Sequence, residues 1–285
     1  MTTTTLDHLL PTDDEVAAYR RTGVHVAHGV VPPEVLDAAE AGMARFYAGD
    51  HDAPFPGRTA WDHTDWHPGD PAGLRKNDYA SLMVRELAHL VRLPVLAAIA
   101  ARLSGADGIR LWHDQLLYKE PAVTDGTANV GWHTDRQYWQ GCTSTEMLTA
   151  WVPFHDCDES VGGVSFVEGS HLWPDGGRGL DFFDGDLAAQ EQRFASGGRP
   201  VVTTTPVLPR GSVTFHHCRT VHGSGPNRSG APRRSMAVHL QPTDNRHRAV
   251  ADDGRPTYHR NDELVRHVDG VPDYTDPRIC PVLSS

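Results

Sequence analysis

Beyond Gly108 the chain changes texture, and this change constrains the fold more than any other feature. Short runs rich in β-branched, aromatic and aliphatic residues follow one another: Ile109 to Tyr118, Val130 to Trp132, Met147 to Phe154, Val164 to Val167, Val201 to Leu208, Ser212 to Phe215 and Ser235 to Leu240. Clusters of Gly, Pro, Asn and Asp separate them, as turns separate strands. A series of this kind suggests a barrel or a sandwich. Asp181 to Phe194 reads as a helical insert between two of the strands.

The first hundred residues read differently. Thr12 followed by Asp13-Asp14-Glu15 is an N-cap with acids in the first helical turn, where they favour the helix dipole, and Gly23 ends that helix. A short strand over Val24 to Val31 leads to Pro32-Pro33, after which Val35, Leu36, Ala39, Met43 and Phe46 recur at helical spacing. Ser81 to Leu90 and Leu93 to Leu103 also read as helices, broken at Pro94. Between them, Asp50 to Asn77 has no sustained period, and loops of that length in a compact domain are commonly functional. Its aromatics Phe55, Trp61 and Trp66 give it the character of a lid or substrate wall. One domain is expected over 1–285: a helical part with a lid-like loop over 1–105, the strand-rich core over 106–242 and a tail over 243–285 that could cover one end of the barrel.

A net charge of −11 with few lysines argues against a nucleic-acid partner, since neutralising phosphates takes clustered Lys and Arg. Cys142, Cys157, Cys218 and Cys280 show no Cys-x-x-Cys pair, which fits a reducing compartment. The N-terminus lacks the basic and apolar regions of a secretory signal, and the apolar run Val95 to Ala101 is too short to span a bilayer. A cytoplasmic monomer or homodimer without a membrane partner, acting on a small molecule, is the expectation.

The chemistry-bearing pattern is Trp132-His133-Thr134-Asp135, answered by His222. Side chains at i and i+2 of an extended segment point the same way, so His133 and Asp135 can reach one metal ion. Two imidazoles and a carboxylate with open positions are the donor set of non-heme iron(II) oxygenases, although imidazole also suits zinc, copper and nickel. Downstream stands Arg233, whose planar fork suits a bidentate grip on a carboxylate, with Ser235 on the same strand face and Arg234 on the opposite one.

With these motifs in order, the sequence resembles the phytanoyl-CoA dioxygenase family of iron(II)- and 2-oxoglutarate-dependent oxygenases. The resemblance runs through Glu15-Val-Ala-Ala-Tyr-Arg-Arg-Thr-Gly, Gln115-Leu-Leu-Tyr-Lys-Glu-Pro, Trp132-His-Thr-Asp-Arg-Gln-Tyr-Trp139 and Leu148-Thr-Ala-Trp-Val-Pro. It continues through Gly162-Gly-Val-Ser-Phe-Val-Glu-Gly-Ser-His171 and His222-Gly-Ser with Arg233. It implies a mainly β fold, a double-stranded β-helix (jelly-roll, cupin-like) core with flanking helices. It implies His133, Asp135 and His222 as ligands of Fe(II), Arg233 as partner of the distal carboxylate of 2-oxoglutarate, and O2 as the second cosubstrate. By position it places Gln115, Trp151, Ser224, Thr149 and Ser235 in the cosubstrate pocket, with a looser claim for Arg75 or Lys76. Related halogenases lack the carboxylate ligand, so Asp135 points to oxygen transfer.

The implied reaction is hydroxylation or oxidative cyclisation of a small molecule, a polar natural-product intermediate, with release of succinate and CO2. Two readings compete: a jelly roll that binds metal and ligand without redox turnover, and a zinc-dependent hydrolase, since open zinc sites also use His and carboxylate. Tyr138 and Trp139, just past the metal loop, are candidates for substrate contact. Asp65 with Asp62, Asp70 and Trp66 would suit an amine-bearing or sugar-like substrate. His171, His216 and His217 are expected to be hydrogen-bonded structural residues.

Overall fold

Eight strands after Gly108 pass back and forth between two antiparallel sheets. They are β3 (Ile109–Lys119), β4 (Val130–His133), β5 (Leu148–Pro153), β6 (Val164–Val167), β7 (Thr203–Thr204), β8 (Val213–His217), β9 (His222–Ser224) and β10 (Arg233–Pro242). They are preceded by β1 (Val24–Ala27) and β2 (Leu74–Asp78), and β13 (Val282–Ser284) closes the chain after the small hairpin β11 (His267–Val268) and β12 (Val271–Pro272). The larger sheet has the order β1-β8-β5-β10-β3-β13 with β2 also paired to β3, and the smaller sheet has the order β4-β9-β6-β7. This is the double-stranded β-helix expected from the sequence. The computed structural model describes residues 6–284 except 61, 72, 124, 125, 178, 197, 199 and 200, so the reading of Trp61 as a lid residue lies outside the described residues.

Alternation along the strands of the larger sheet separates a packed face from a chemical one. On β10, Met236, Val238 and Leu240 are fully buried in the main hydrophobic core. The intervening Arg233, Ala237 and His239 line the interior of the barrel. On β5, Leu148, Ala150 and Val152 join the same core, while Thr149 and Trp151 face inward. A register shift between His239 and Leu240 against β3 lets Leu111 and Leu116 both meet that core despite their odd spacing.

Helices cover the packed face. Helix α1 (Asp13–Thr22) begins at a capping box, in which Thr12 accepts from the Glu15 amide and the Glu15 side chain accepts from the Thr12 amide. It ends at Gly23, left-handed at φ 77°, whose N–H reaches the Tyr19 carbonyl. Helices α2 (Pro33–Tyr47), α3 (Arg85–Val91) and α4 (Pro94–Ser104) supply Leu36, Leu87, Leu90, Leu96 and Ile99, all fully buried. Truncating any of these leucines to Ala costs about 2–5 kcal/mol. The span Arg85–Ser104, which covers α3 and α4, has a mean hydropathy of 1.5 and is 56 % buried inside the fold, where its apolar side chains join the core.

Several sequence boundaries need correction. The helix expected from Ser81 starts at Arg85, after a single 3-10 turn over Ala80–Leu82. The strand expected over Val201 to Leu208 shrinks to Thr203–Thr204, an exposed edge pair followed by Pro206. Strand β2 lies inside the segment read as irregular: Leu-Arg-Lys-Asn-Asp lacks β propensity, but the long β3 offers it five paired positions. The insert forms helix α5 over Leu187–Ala195, and a short α6 (Asn261–Leu264) lies in the tail.

Candidate active site

The two imidazoles and the carboxylate converge. His133 ends β4 and His222 begins β9, and the two are direct partners across that antiparallel pair. Their ring centroids are 4.1 Å apart. Asp135 Oδ1 lies 3.9 Å from His133 Nε2 and 3.7 Å from His222 Nε2. One donor atom from each residue falls within 4.8 Å of the others, and all three side chains are buried.

Hydrogen bonds set the protonation of this group. His133 Nδ1 stands 2.8 Å from the Gly131 carbonyl and His222 Nδ1 3.0 Å from the Thr220 carbonyl. A carbonyl only accepts, so each Nδ1 carries the proton and each Nε2 keeps its lone pair for a metal. Asp135 Oδ2 is held by the Thr149 hydroxyl at 2.6 Å and approached by His216 Nε2 at 3.3 Å, which leaves Oδ1 facing the two imidazoles. Burial by itself raises the Asp135 carboxyl, and the polar groups packed around it outweigh that effect and hold it well below the usual carboxylate range. Burial pushes both His133 and His222 down, which keeps them neutral, as ligands must be. The donor set fits a divalent iron.

A narrow pocket continues from this point, lined by Gln115, Thr149, Trp151, Ser224 and Arg233 among others. Arg233 is 1 % exposed and gives only Nη1 to protein acceptors, the Gly162 carbonyl at 3.0 Å and Ser224 Oγ at 3.3 Å. Its Nε and Nη2, and the buried hydroxyl of Ser235 on the same strand face, have no partner among the described residues. Trp151 lies beneath the guanidinium, 5.5 Å from its centre.

Beside it, fully buried Lys119 gives its ammonium to the Ser224 carbonyl, Ser224 Oγ and the Gly225 carbonyl. Neither cation has a carboxylate partner among the described residues. Burial lowers both, Lys119 well below its usual value and Arg233 to about 10. A buried guanidinium with unpaired donors, with a second buried basic side chain braced beside it, forms a receptor for an anion. A 2-oxo diacid, held by its distal carboxylate here and by the metal at its other end, fits that geometry.

Five of the six expected cosubstrate residues line the pocket and Ser235 is buried beside Arg233 on the same strand face, but one of the five, Thr149, has a different role. Its hydroxyl is committed to Asp135, so it orients a ligand and is not free to grip a cosubstrate. His216, expected to be structural, lines the pocket beside Asp135 with its ring centroid 4.2 Å from that of His222. Lys119 was missed, although it follows Gln115 by four residues on β3 and period-two alternation would have found it.

The pocket opens into a cavity of about 380 Å3 that shares Gln115, His133, Asp135, Phe182 and His239 with it. Tyr138 and Trp139, the candidates for substrate contact, line this cavity. The Tyr138 hydroxyl accepts the Phe182 amide at 3.0 Å and thereby pins the insert over the site. Gly131 makes this possible, because a Cβ there would fall 2.0 Å from the Asp181 carbonyl. Phe182 then stands with its ring centroid 5.0 Å from that of His133.

The acidic substrate reading is not upheld. Asp65 gives one carboxylate oxygen to Arg260 at 3.0 Å and the other to the Asp78 amide at 2.9 Å. Asp62 and Asp78 hold the same guanidinium at 2.9 and 2.8 Å, so these acids are engaged within the fold. Asp70 accepts from the His67 amide in an exposed turn. Trp66 stacks on Arg75, 4.5 Å from ring to guanidinium, and lines a separate cavity of about 330 Å3. Arg75 itself pairs with Glu120, whereas Lys76 does line the main cavity, next to Asp78. Within the tail, Pro256, Thr257, Tyr258, His259 and Arg260 supply one wall of the cavity.

Comparison with known proteins agrees with this geometry. The chain is 27 % identical over 170 residues to a probable alpha-ketoglutarate-dependent hypophosphite dioxygenase of Stutzerimonas stutzeri, covering 58 % of this chain and 56 % of that one. It spans about half the length of the first curated relatives it matches. Among solved structures, the non-heme alpha ketoglutarate-dependent carbocyclase SnoK from nogalamycin biosynthesis superposes with a TM-score of 0.67 at 26 % identity, covering 87 % of this chain and 94 % of SnoK. The epimerase SnoN, in complex with Fe3+, alpha ketoglutarate and nogalamycin RO, superposes with a TM-score of 0.67 at 25 % identity, covering 95 % and 98 %. The phytanoyl-CoA dioxygenase (PhyH) family model matches residues 19–235, and the chain belongs to this family of iron- and 2-oxoglutarate-dependent oxygenases.

Proposed function

We propose that the protein oxidises a C–H bond of a small natural-product intermediate, by hydroxylation or oxidative cyclisation, with His133, Asp135 and His222 as ligands of Fe(II). The observation that carries the reading is one pocket lined by both those three residues and Arg233, whose Nε and Nη2 are unpaired. Bound iron with 2-oxoglutarate and O2 supplies the oxidising equivalents, and succinate and CO2 leave as co-products.

The chain's own residues do the rest. Arg233, through its unpaired Nε and Nη2, and the Ser235 hydroxyl beside it hold the distal carboxylate, Lys119 and Ser224 brace that end of the pocket, and Trp151 closes its apolar side. Thr149 and His216 keep Asp135 Oδ2 occupied so that Oδ1 faces the metal. Phe182, Tyr138 and Trp139 form an aromatic wall that orients the substrate and limits water at the metal. Carbocyclase and epimerase activity in SnoK and SnoN support a ring-bearing substrate and leave both outcomes open to the same site.

The test is succinate release by the Fe(II)-loaded protein with 2-oxoglutarate, O2 and a panel of natural-product intermediates, followed by mass analysis of the stimulating compound. Gain of one oxygen atom marks hydroxylation, and loss of two hydrogens marks cyclisation. Absence of 2-oxoglutarate turnover, coupled or uncoupled, overturns the reading.

A further inference from the structure

His239 stands at the junction of the two cavities, lining both the cosubstrate pocket and the larger chamber. Its Nδ1 is 2.7 Å from Thr149 Oγ1, and that same oxygen is 2.6 Å from Asp135 Oδ2. The direction of both hydrogen bonds follows from proton counting. A metal-binding carboxylate is acceptor-only, so the single hydroxyl proton of Thr149 goes to Asp135. Thr149 Oγ1 must then accept from His239, which places a proton on Nδ1, and in the neutral ring that burial favours Nε2 is a bare acceptor. Nε2 is buried and has no partner among the described residues. A buried acceptor without a donor is costly, and such atoms in native structures call for an explanation.

The surroundings favour a ligand donor over a protein one. His113 stacks on His239 with ring centroids 4.2 Å apart, and Trp139 meets it edge-on at 4.9 Å, so its faces are covered by rings that give it no hydrogen bond. His259 stands 5.0 Å beyond His113, so three imidazoles form one wall of the chamber.

We propose that His239 is a substrate-positioning residue whose bare Nε2 accepts a hydrogen bond from an O–H or N–H group of the substrate beside the carbon to be oxidised. The substrate class is then a donor-bearing molecule, an alcohol or a secondary amine, and an O-methylated counterpart is disfavoured because it would leave Nε2 unpaired. The same contact extends a continuous chain, substrate to His239 to Thr149 to Asp135 to metal, so substrate occupancy is felt at the carboxylate ligand. The proposal rests on the oxygenase reading for the identity of the metal and cosubstrate, but its test needs no turnover.

The experiment is nitrogen NMR of the full chain carrying 15N-histidine, loaded with Zn(II) and 2-oxoglutarate, with His239→Phe identifying the resonances. His239 is expected to show a protonated Nδ1 and an unprotonated Nε2. Ethylene glycol, a fragment small enough to fill the chamber at high concentration, is expected to move the Nε2 signal upfield, and 1,2-dimethoxyethane is expected to leave it in place. Thr149→Val is expected to release the tautomer and populate Nε2–H. A proton on Nε2 in the wild type, an Nε2 signal unmoved by the glycol, or an equal response to the diether overturns the proposal. Wild-type turnover of 2-oxoglutarate, measured separately with iron, distinguishes failure of this proposal from failure of the oxygenase reading.

Discussion

The Thr149 hydroxyl lies 2.6 Å from Asp135 Oδ2, on the carboxylate oxygen that faces away from the two ligand imidazoles. One short bond from β5 thus decides which oxygen of Asp135 is offered to the metal. Partners of this kind, behind the ligand itself, are commonly worth 10–100-fold in metal affinity. Thr149→Val is expected to weaken Fe(II) binding by about that factor, and Thr149→Ser, which keeps the hydroxyl, to restore most of it. Competition with a chelator of known affinity measures both.

Lys119 is expected to matter to the cosubstrate although it makes no ion pair with any described residue. Lys119→Met removes a buried positive charge and three hydrogen bonds to Ser224 and Gly225. The KM for 2-oxoglutarate should rise by at least about tenfold, in line with the 1.5–3 kcal/mol of hydrogen bonds to charged groups, while metal affinity stays near the wild-type value. An unchanged KM would remove Lys119 from the anion receptor.

Arg260 fastens the tail wall of the cavity to Asp62, Asp65 and Asp78. Replacing it with Met leaves Asp78 buried without its guanidinium partner, and breaking a buried pair in this way costs about 3–5 kcal/mol. A lower unfolding midpoint in Arg260→Met, measured with metal and 2-oxoglutarate held constant, is the expected result. Retention of wild-type stability would show that the cluster is not what holds the wall.

Burial pushes the Asp114 carboxyl up to about 7, against hydrogen bonds from Ser81 that lower it. Between the unfolded value near 4 and about 7 the folded chain keeps a proton that the unfolded chain has lost. Stability from this group is therefore present at acid pH and lost as pH rises through that window, by up to about 4 kcal/mol. Denaturant unfolding of wild type and Asp114→Asn from pH 4 to pH 8 checks the sign: the wild type should fall relative to the variant as pH increases.

Much of this site was legible because strand alternation is a strict period. His133, Asp135 and His222 were found from residue type and spacing, and Arg233 with Ser235 from their shared face. The same alternation carries from Arg233 to His239 and from Gln115 to Lys119, yet neither was read, because a lone imidazole or lysine in a strand looks like any other polar residue until the barrel closes around it. The acids of the 50–77 segment were misread for a related reason. Sequence gives their charge, and only the fold shows that Arg260, far along the chain, already pairs with Asp62 and Asp65. Strand β2 escaped notice because its pairing comes from β3, a tertiary contact, and not from its own composition.

The most direct measurement is an anaerobic titration of the Fe(II)-loaded protein with 2-oxoglutarate, followed by the visible charge-transfer absorption that forms when a 2-oxo acid chelates ferrous iron. The site predicts a saturable band in the wild type, and for Arg233→Met the same band at roughly a hundredfold higher 2-oxoglutarate concentration, since losing one partner of a buried charge pair costs about 2–5 kcal/mol. No band in the wild type, or equal affinity in the Arg233 variant, would contradict an iron site built to hold a dicarboxylate between His133, Asp135, His222 and Arg233.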